Sequence, residues 1–271
     1  MAGPAQPSFV VEFVGVPGAG KSTLSHAVAT ALRASGEIVT EPTYDITRGR
    51  DRRWRKAIFA AHTLLRHPWL SVVGLGQIIV SRQRTLRDLG FGAFNFLYIC
   101  GLMKKIAREP GIHILDQGYF GALWTIRFSA AASTPLASLI RTGLQCSGRD
   151  GLDLVLLIEA RPQTVLARLR ARPGADSRLE GRGEASPFAA RLDAAFCTLE
   201  QIRATLETLA RDGQGCLRLE TVDKDAPQGW EQTEAVASLV RSASKSTARP
   251  SHRPVDRAAV TLQSKVRGAP S

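Results

Sequence analysis

Residues 15–23 read Gly15-Val16-Pro17-Gly18-Ala19-Gly20-Lys21-Ser22-Thr23, a complete G-x-x-x-x-G-K-S/T pattern. Its surroundings constrain the fold as strongly as the pattern does. Ser8–Val14 (SFVVEFV) is a β-branched and aromatic run ended by Gly15, the mark of a buried strand. Lys21–Ala34 carries apolar residues at helical spacing (Leu24, Ala27, Val28, Ala31, Leu32), and Gly36 supplies the C-terminal stop. Strand, glycine-rich turn and helix N-terminus in that order make a polyphosphate cradle. Backbone N–H groups turn inward, and the first helical turn adds partial positive charge. Gly15, Val16, Pro17, Gly18, Ala19, Gly20, Lys21, Ser22 and Thr23 are therefore the expected nucleotide-binding residues. In such a loop the lysine, here Lys21, bridges the β- and γ-phosphates and the serine, here Ser22, ligates Mg²⁺.

The rest of the chain supports an alternating architecture. Glu37–Thr40 reads as a second strand broken by Pro42, and a long helical region follows over about 51–108, basic at first and then apolar. Ile112–Leu115 is a third strand ending at Asp116, Asp153–Glu159 (DLVLLIE) a fourth and Cys216–Thr221 a fifth. Helices are expected from Pro162 to about Arg172, over Phe188–Arg211 and over Gln232–Ser242. Strands alternating with helices, most of them uninterruptedly apolar, argue a parallel sheet covered on both faces. Ligands of such sheets bind at the carboxyl ends of the strands, where Glu41 and Asp116 fall beside the glycine loop.

Composition sets limits. No uncharged run reaches the roughly 18 residues of a membrane-spanning helix, and Met1–Pro7 shows no secretory signal. Four cysteines (Cys100, Cys146, Cys197, Cys216) lie too far apart for a CxxC site and fit reduced, mostly buried thiols of a cytoplasmic protein. The net charge of +12 is uneven. From 243 to 271 there are six basic residues and one acid among Ser, Pro and Ala, so a folded unit over 8–242 and a disordered basic tail over 243–271 are expected. Nucleic acid is not an expected partner except weakly, through that tail. The apolar 69–103 stretch reads as buried helices, as the face of a homodimer or, more sharply, as a site for a lipid-like acceptor.

A phosphate loop names a nucleotide, not a reaction. Thr221-Val222-Asp223-Lys224-Asp225 does not fit the guanine motif N-K-x-D, and Asp116-Gln117-Gly118-Tyr119 misses D-x-x-G. Neither Asp116-Gln117 nor Glu159-Ala160 supplies the Asp-Glu pair of a motor or transporter ATPase. With its Glu41-Pro42 after the second strand, Asp116 ending the third, the strand Asp153–Ile158 and Arg178-Leu179-Glu180, the chain resembles the P-loop kinases of nucleosides and nucleotides, above all the thymidylate kinase and deoxyribonucleoside kinase groups. That resemblance implies a three-layer α/β/α fold with a five-stranded parallel sheet in the order 2-3-1-4-5 and an Arg-rich lid over about 172–187. It also implies transfer of the γ-phosphate of ATP, with Mg²⁺, to a small-molecule acceptor, a nucleoside or nucleotide first. Within it Lys21 neutralises the transferred group, Glu41 is the acceptor base, and Asp116 acts as base or Mg²⁺ ligand. Mobile arginines close such sites; Arg168, Arg170, Arg172, Arg178 and Arg182 qualify, Arg178 and Arg172 foremost. Tyr44, Phe120 and Trp124 are aromatics near strand ends, and His113 a strand histidine. The chain departs from both groups in Gln117-Gly118, where they carry Arg, and from thymidylate kinases in Thr43-Tyr44, where they carry Gly-Gly. A regulatory or assembly ATPase without a small acceptor, and a kinase of a non-nucleotide alcohol, stand as alternatives.

Overall fold

β1 (Ser8–Val14) is the middle strand of a five-stranded parallel sheet in the order β2-β3-β1-β4-β5, seen in a computed structural model. The structure describes residues 7–147, 152–171, 179, 188–212, 218–225 and 230–247. The other strands are β2 (Val39–Thr40), β3 (Gly111–Leu115), β4 (Leu154–Glu159) and β5 (Arg218–Asp223). β1 pairs with β3 from Ser8↔Gly111 to Glu12↔Leu115 and with β4 from Val11↔Leu154 to Val14↔Leu157. With neighbours on both edges and helices on both faces, residues 9–14 are buried throughout. Each large apolar side chain taken from water there stabilises by roughly 1.5–3 kcal/mol.

α1 (Lys21–Ala34) and α10 (Trp230–Thr247) pack together on β1, and α6 (Tyr119–Phe128) and α9 (Phe188–Arg211) form the other layer. Between β2 and β3 the chain makes α2 (Pro42–Arg48), α3 (Arg52–Arg66), α4 (Pro68–Val80) and α5 (Leu86–Ile106). The expected helical region is thus three helices, because Pro68 starts a new first turn and Thr85 caps another by accepting from Asp88 N–H at 3.0 Å. α3 and α5 cross closely: a Cβ on Gly101 would stand 2.5 Å from Phe59 O. α7 (Leu136–Ser147) and α8 (Pro162–Arg170) complete the helices of the described residues.

Sheet order and strand identity match the expectation; lengths do not everywhere. β2 is two residues and β5 runs on to Asp223, Cys216 lying outside the described residues, while α2, α6 and α7 are helices that the sequence pattern does not announce. α10 runs to Thr247 with Ala243 and Ser244 buried, five residues past the expected boundary at 242. Of the cysteines whose side chains are described, Cys100 is buried and Cys197 exposed.

Candidate active site

The glycine loop closes onto α1 through two left-handed residues, Gly18 (φ 86°) and Gly20 (φ 94°), conformations that L side chains resist. Gly20 is the N-cap of α1 and no side chain caps the helix, so its first amides remain for a ligand. Lys21 Nζ folds back to donate to Val16 O at 2.9 Å. Ser22, one residue into the helix, donates from Oγ to Asp116 Oδ2 at 2.9 Å. Asp116 is held from its other side as well. Thr43, in the first turn of α2, donates to Asp116 Oδ1 at 2.7 Å and accepts the Asp116 N–H at 3.3 Å. The departure Thr43-Tyr44 thus acquires a reason: Thr43 fixes the carboxylate that the third strand delivers.

Ser22 and Asp116 fit a magnesium ion. Two hard oxygens 2.9 Å apart match adjacent corners of an octahedron whose metal–oxygen distance is about 2.1 Å. Among the described residues no group of three His, Cys, Asp or Glu side chains forms a metal cage. Mg²⁺ needs none, since it keeps waters and phosphate oxygens.

Glu41 is held from the α1 side. It is buried at the end of β2, but Arg33 Nη1 donates to its Oε2 at 2.8 Å and His26 Nδ1 lies 3.1 and 3.2 Å from its two oxygens. Both partners come from α1, so its carboxylate ties β2 to that helix, and none of its described contacts is with Asp116 or the loop. Tyr44 has two ring contacts: His26 stacks on it at 4.7 Å and the Arg48 guanidinium lies 4.3 Å from its centroid. Phe120 and Trp124 are core, Trp124 donating to Ala195 O at 3.2 Å. His113 is buried between Thr40 Oγ1 (2.8 Å) and Glu109 O (2.9 Å).

Of the five arginines, Arg168 reaches the loop. Its Nη1 donates to Ala19 O at 3.0 Å and its Nη2 to Lys224 O at 3.5 Å. Lys224 follows β5, is buried, and donates from Nζ to Gln232 Oε1 at 3.1 Å. Burial, then the charge of Arg168, lowers its pKa. Arg170 points to solvent, and Arg172, Arg178 and Arg182 lie outside the described residues, as does most of the expected lid.

Three residues near Asp116 escape a reading along the chain. Lys56 of α3 is half-buried, its Nζ 4.9 Å from the centroid of the Tyr98 ring of α5. Burial, then Arg52, holds the Lys56 ammonium below its ordinary range, against the pull of Asp116. Burial, then Asp116, pushes the Tyr98 hydroxyl up, and that hydroxyl is buried without a hydrogen-bond partner among the described residues. Glu12 is the third. It lies fully buried in β1, where Oε1 accepts Gly121 N–H at 2.9 Å and a Cβ on Gly118 would stand 2.5 Å from its Cδ. Burial raises its carboxyl to about 7, although the amides of Gly121, Phe120, Tyr119 and Gly118 oppose the shift. Glu12 therefore braces the turn that carries Asp116 into α6. A charged residue inside an apolar strand was its one signal in the sequence.

Neither a protein-family model nor a curated protein matches the chain. Among solved structures it is similar to a deoxyadenosine kinase from M. mycoides with the products dCMP and a flexible dCDP bound. Identity is 13% and the TM-score 0.42, over 86% of this chain and 99% of that one. The same enzyme with dATP bound aligns at 14% identity and a TM-score of 0.42, with the same coverage.

Proposed function

We propose that the protein is an ATP- and Mg²⁺-dependent phosphotransferase that moves the γ-phosphate to a small-molecule acceptor, with a nucleoside or nucleotide favoured, in the cytoplasm. The observation that carries this reading is the Ser22–Asp116 pair at 2.9 Å, directly under an uncapped helix N-terminus. The loop amides and Lys21 hold the triphosphate, and Ser22 with Asp116 would hold the ion. Bound there, Mg²⁺ would supply neutralisation of phosphate charge. Asp116, steadied by Thr43 and through its turn by Glu12, faces the acceptor hydroxyl. Lys56, half-buried and coupled to Asp116, offers a donor on the acceptor side, and Arg168 adds positive charge beside the loop at Ala19. Glu41 we assign to positioning, because Arg33 and His26 occupy its carboxylate.

The test is transfer from γ-labelled ATP to a panel of nucleosides, nucleotides and other alcohols. Label should reach an acceptor in a Mg²⁺-dependent manner, and Lys21→Ala should abolish transfer with the fold intact. Label appearing only as inorganic phosphate would favour an ATPase without a small acceptor.

A further inference from the structure

α4 is built unlike its neighbours. Its thirteen residues, PWLSVVGLGQIIV, include no charged side chain. At about 100° per residue, Trp69, Val72, Gly76, Ile79 and Val80 share one arc, and Ser71, Gly74 and Ile78 fall opposite. The second arc is buried: a Cβ on Gly74 would stand 2.4 Å from the Phe96 ring of α5. The first arc is not, with Trp69 75%, Val72 58%, Ile79 60% and Val80 67% exposed. Leu65 (81%) and Leu86 (86%) carry the apolar surface past both ends. Cations bracket it: Arg66 before the helix and Arg82, Arg84 and Arg87 after it are exposed. Among the described residues none of these four has a carboxylate within ion-pair distance.

We propose that this face docks on an anionic lipid bilayer, with α4 lying flat in the headgroup layer, its apolar arc toward the acyl chains and the arginines on lipid phosphates. Thirteen residues make about 20 Å of helix, too short to cross a hydrocarbon core of about 30 Å but suited to lie along its edge. A tryptophan at the apolar–polar boundary and arginines beside it are the side chains such an interface favours. Charge selects this occupant over a second copy of the chain. A two-fold contact through α4 would bring Arg66, Arg82, Arg84 and Arg87 of both copies together, with Asp88 the one acid between residues 66 and 108 to offset them. The basic segment beyond Thr247 offers no acidic complement either: it holds one acid, Asp256.

The full chain should co-sediment with phosphatidylcholine–phosphatidylglycerol vesicles, bind phosphatidylcholine alone far less, and detach as salt is raised. Trp69→Glu and Ile79→Glu replace exposed side chains and should each weaken binding roughly 30-fold, the worth of one buried large apolar group. Replacing Arg82, Arg84 and Arg87 together by Gln should weaken it about 100-fold. Vesicles should blue-shift the tryptophan emission of the parent protein but not of Trp69→Phe. Thermal unfolding of each variant, matched to the parent, excludes a folding defect. Absence of binding to anionic vesicles overturns the proposal. So does binding that these substitutions leave unchanged, which would assign it to the basic tail, or a stable dimer that Val72→Glu dissociates.

Discussion

β1 and α4 draw on the same residue types and end in opposite surroundings. In β1 residues 9–14 are all at most 2% exposed, whereas the valines and isoleucine on one arc of α4 stand more than half exposed. The difference is the number of covered sides. β3 and β4 close the edges of β1 and helices close its faces, while α4 has α3, α5 and α7 on one side. An apolar run reports burial only where partners surround it, and here the same chemistry marks a core in one place and a surface with a task in the other.

Substitutions at the two regions should separate accordingly. The largest effect belongs to the end of the sheet: Asp116→Asn should lower kcat by roughly 10²–10³-fold, the scale of losing one electrostatic group at the reacting centre. Steady-state kinetics against Mg²⁺ concentration measure it, and a normal kcat would remove Asp116 from the site. Next is Glu12, raised from 4.5 to about 7 by burial. Between those values the unfolded chain releases a proton that the folded chain keeps. Stability present below the lower value therefore falls as pH rises through the upper one, by roughly 3 kcal/mol in all. Urea unfolding across this range should show the fall, and Glu12→Gln should lack it.

The two arcs of α4 supply the closest contrast. Gly74→Ala drives a methyl into Phe96 and should cost about 1–3 kcal/mol, read from the urea midpoint. Ile79→Ser, three-fifths exposed, should change stability by no more than about 0.5 kcal/mol. Equal costs for the two would mean that the outer arc is covered in solution.

Much of the fold was legible because its signals are local. The strand before Gly15, the helix after it and α9 stand within the expected bounds, since periodicity and flanking residues set them over a single turn or strand. Chain ends of elements were less legible: β2 keeps only the two residues that find β3, and α10 continues as far as Ala243 and Ser244 remain covered. The site divides the same way. Gly15 to Thr23 form one continuous motif, and Asp116 follows from its place at a strand end. Thr43, Lys56 and Tyr98 come to Asp116 from three different helices, and no spacing along the chain records that meeting.

The chain by itself determined the glycine loop between strand and helix, the parallel layered architecture and the acid that ends the third strand, because each rests on contiguous residues and on apolar alternation. Only the packed structure decided that Glu41 turns to Arg33 and His26, that Arg168 rather than Arg170 meets the loop, and that Glu12 lies under Gly118. It also decided that one arc of α4 stays uncovered. A side chain's direction follows from how two elements sit against each other, and that relation is a property of long-range packing rather than of any window of sequence.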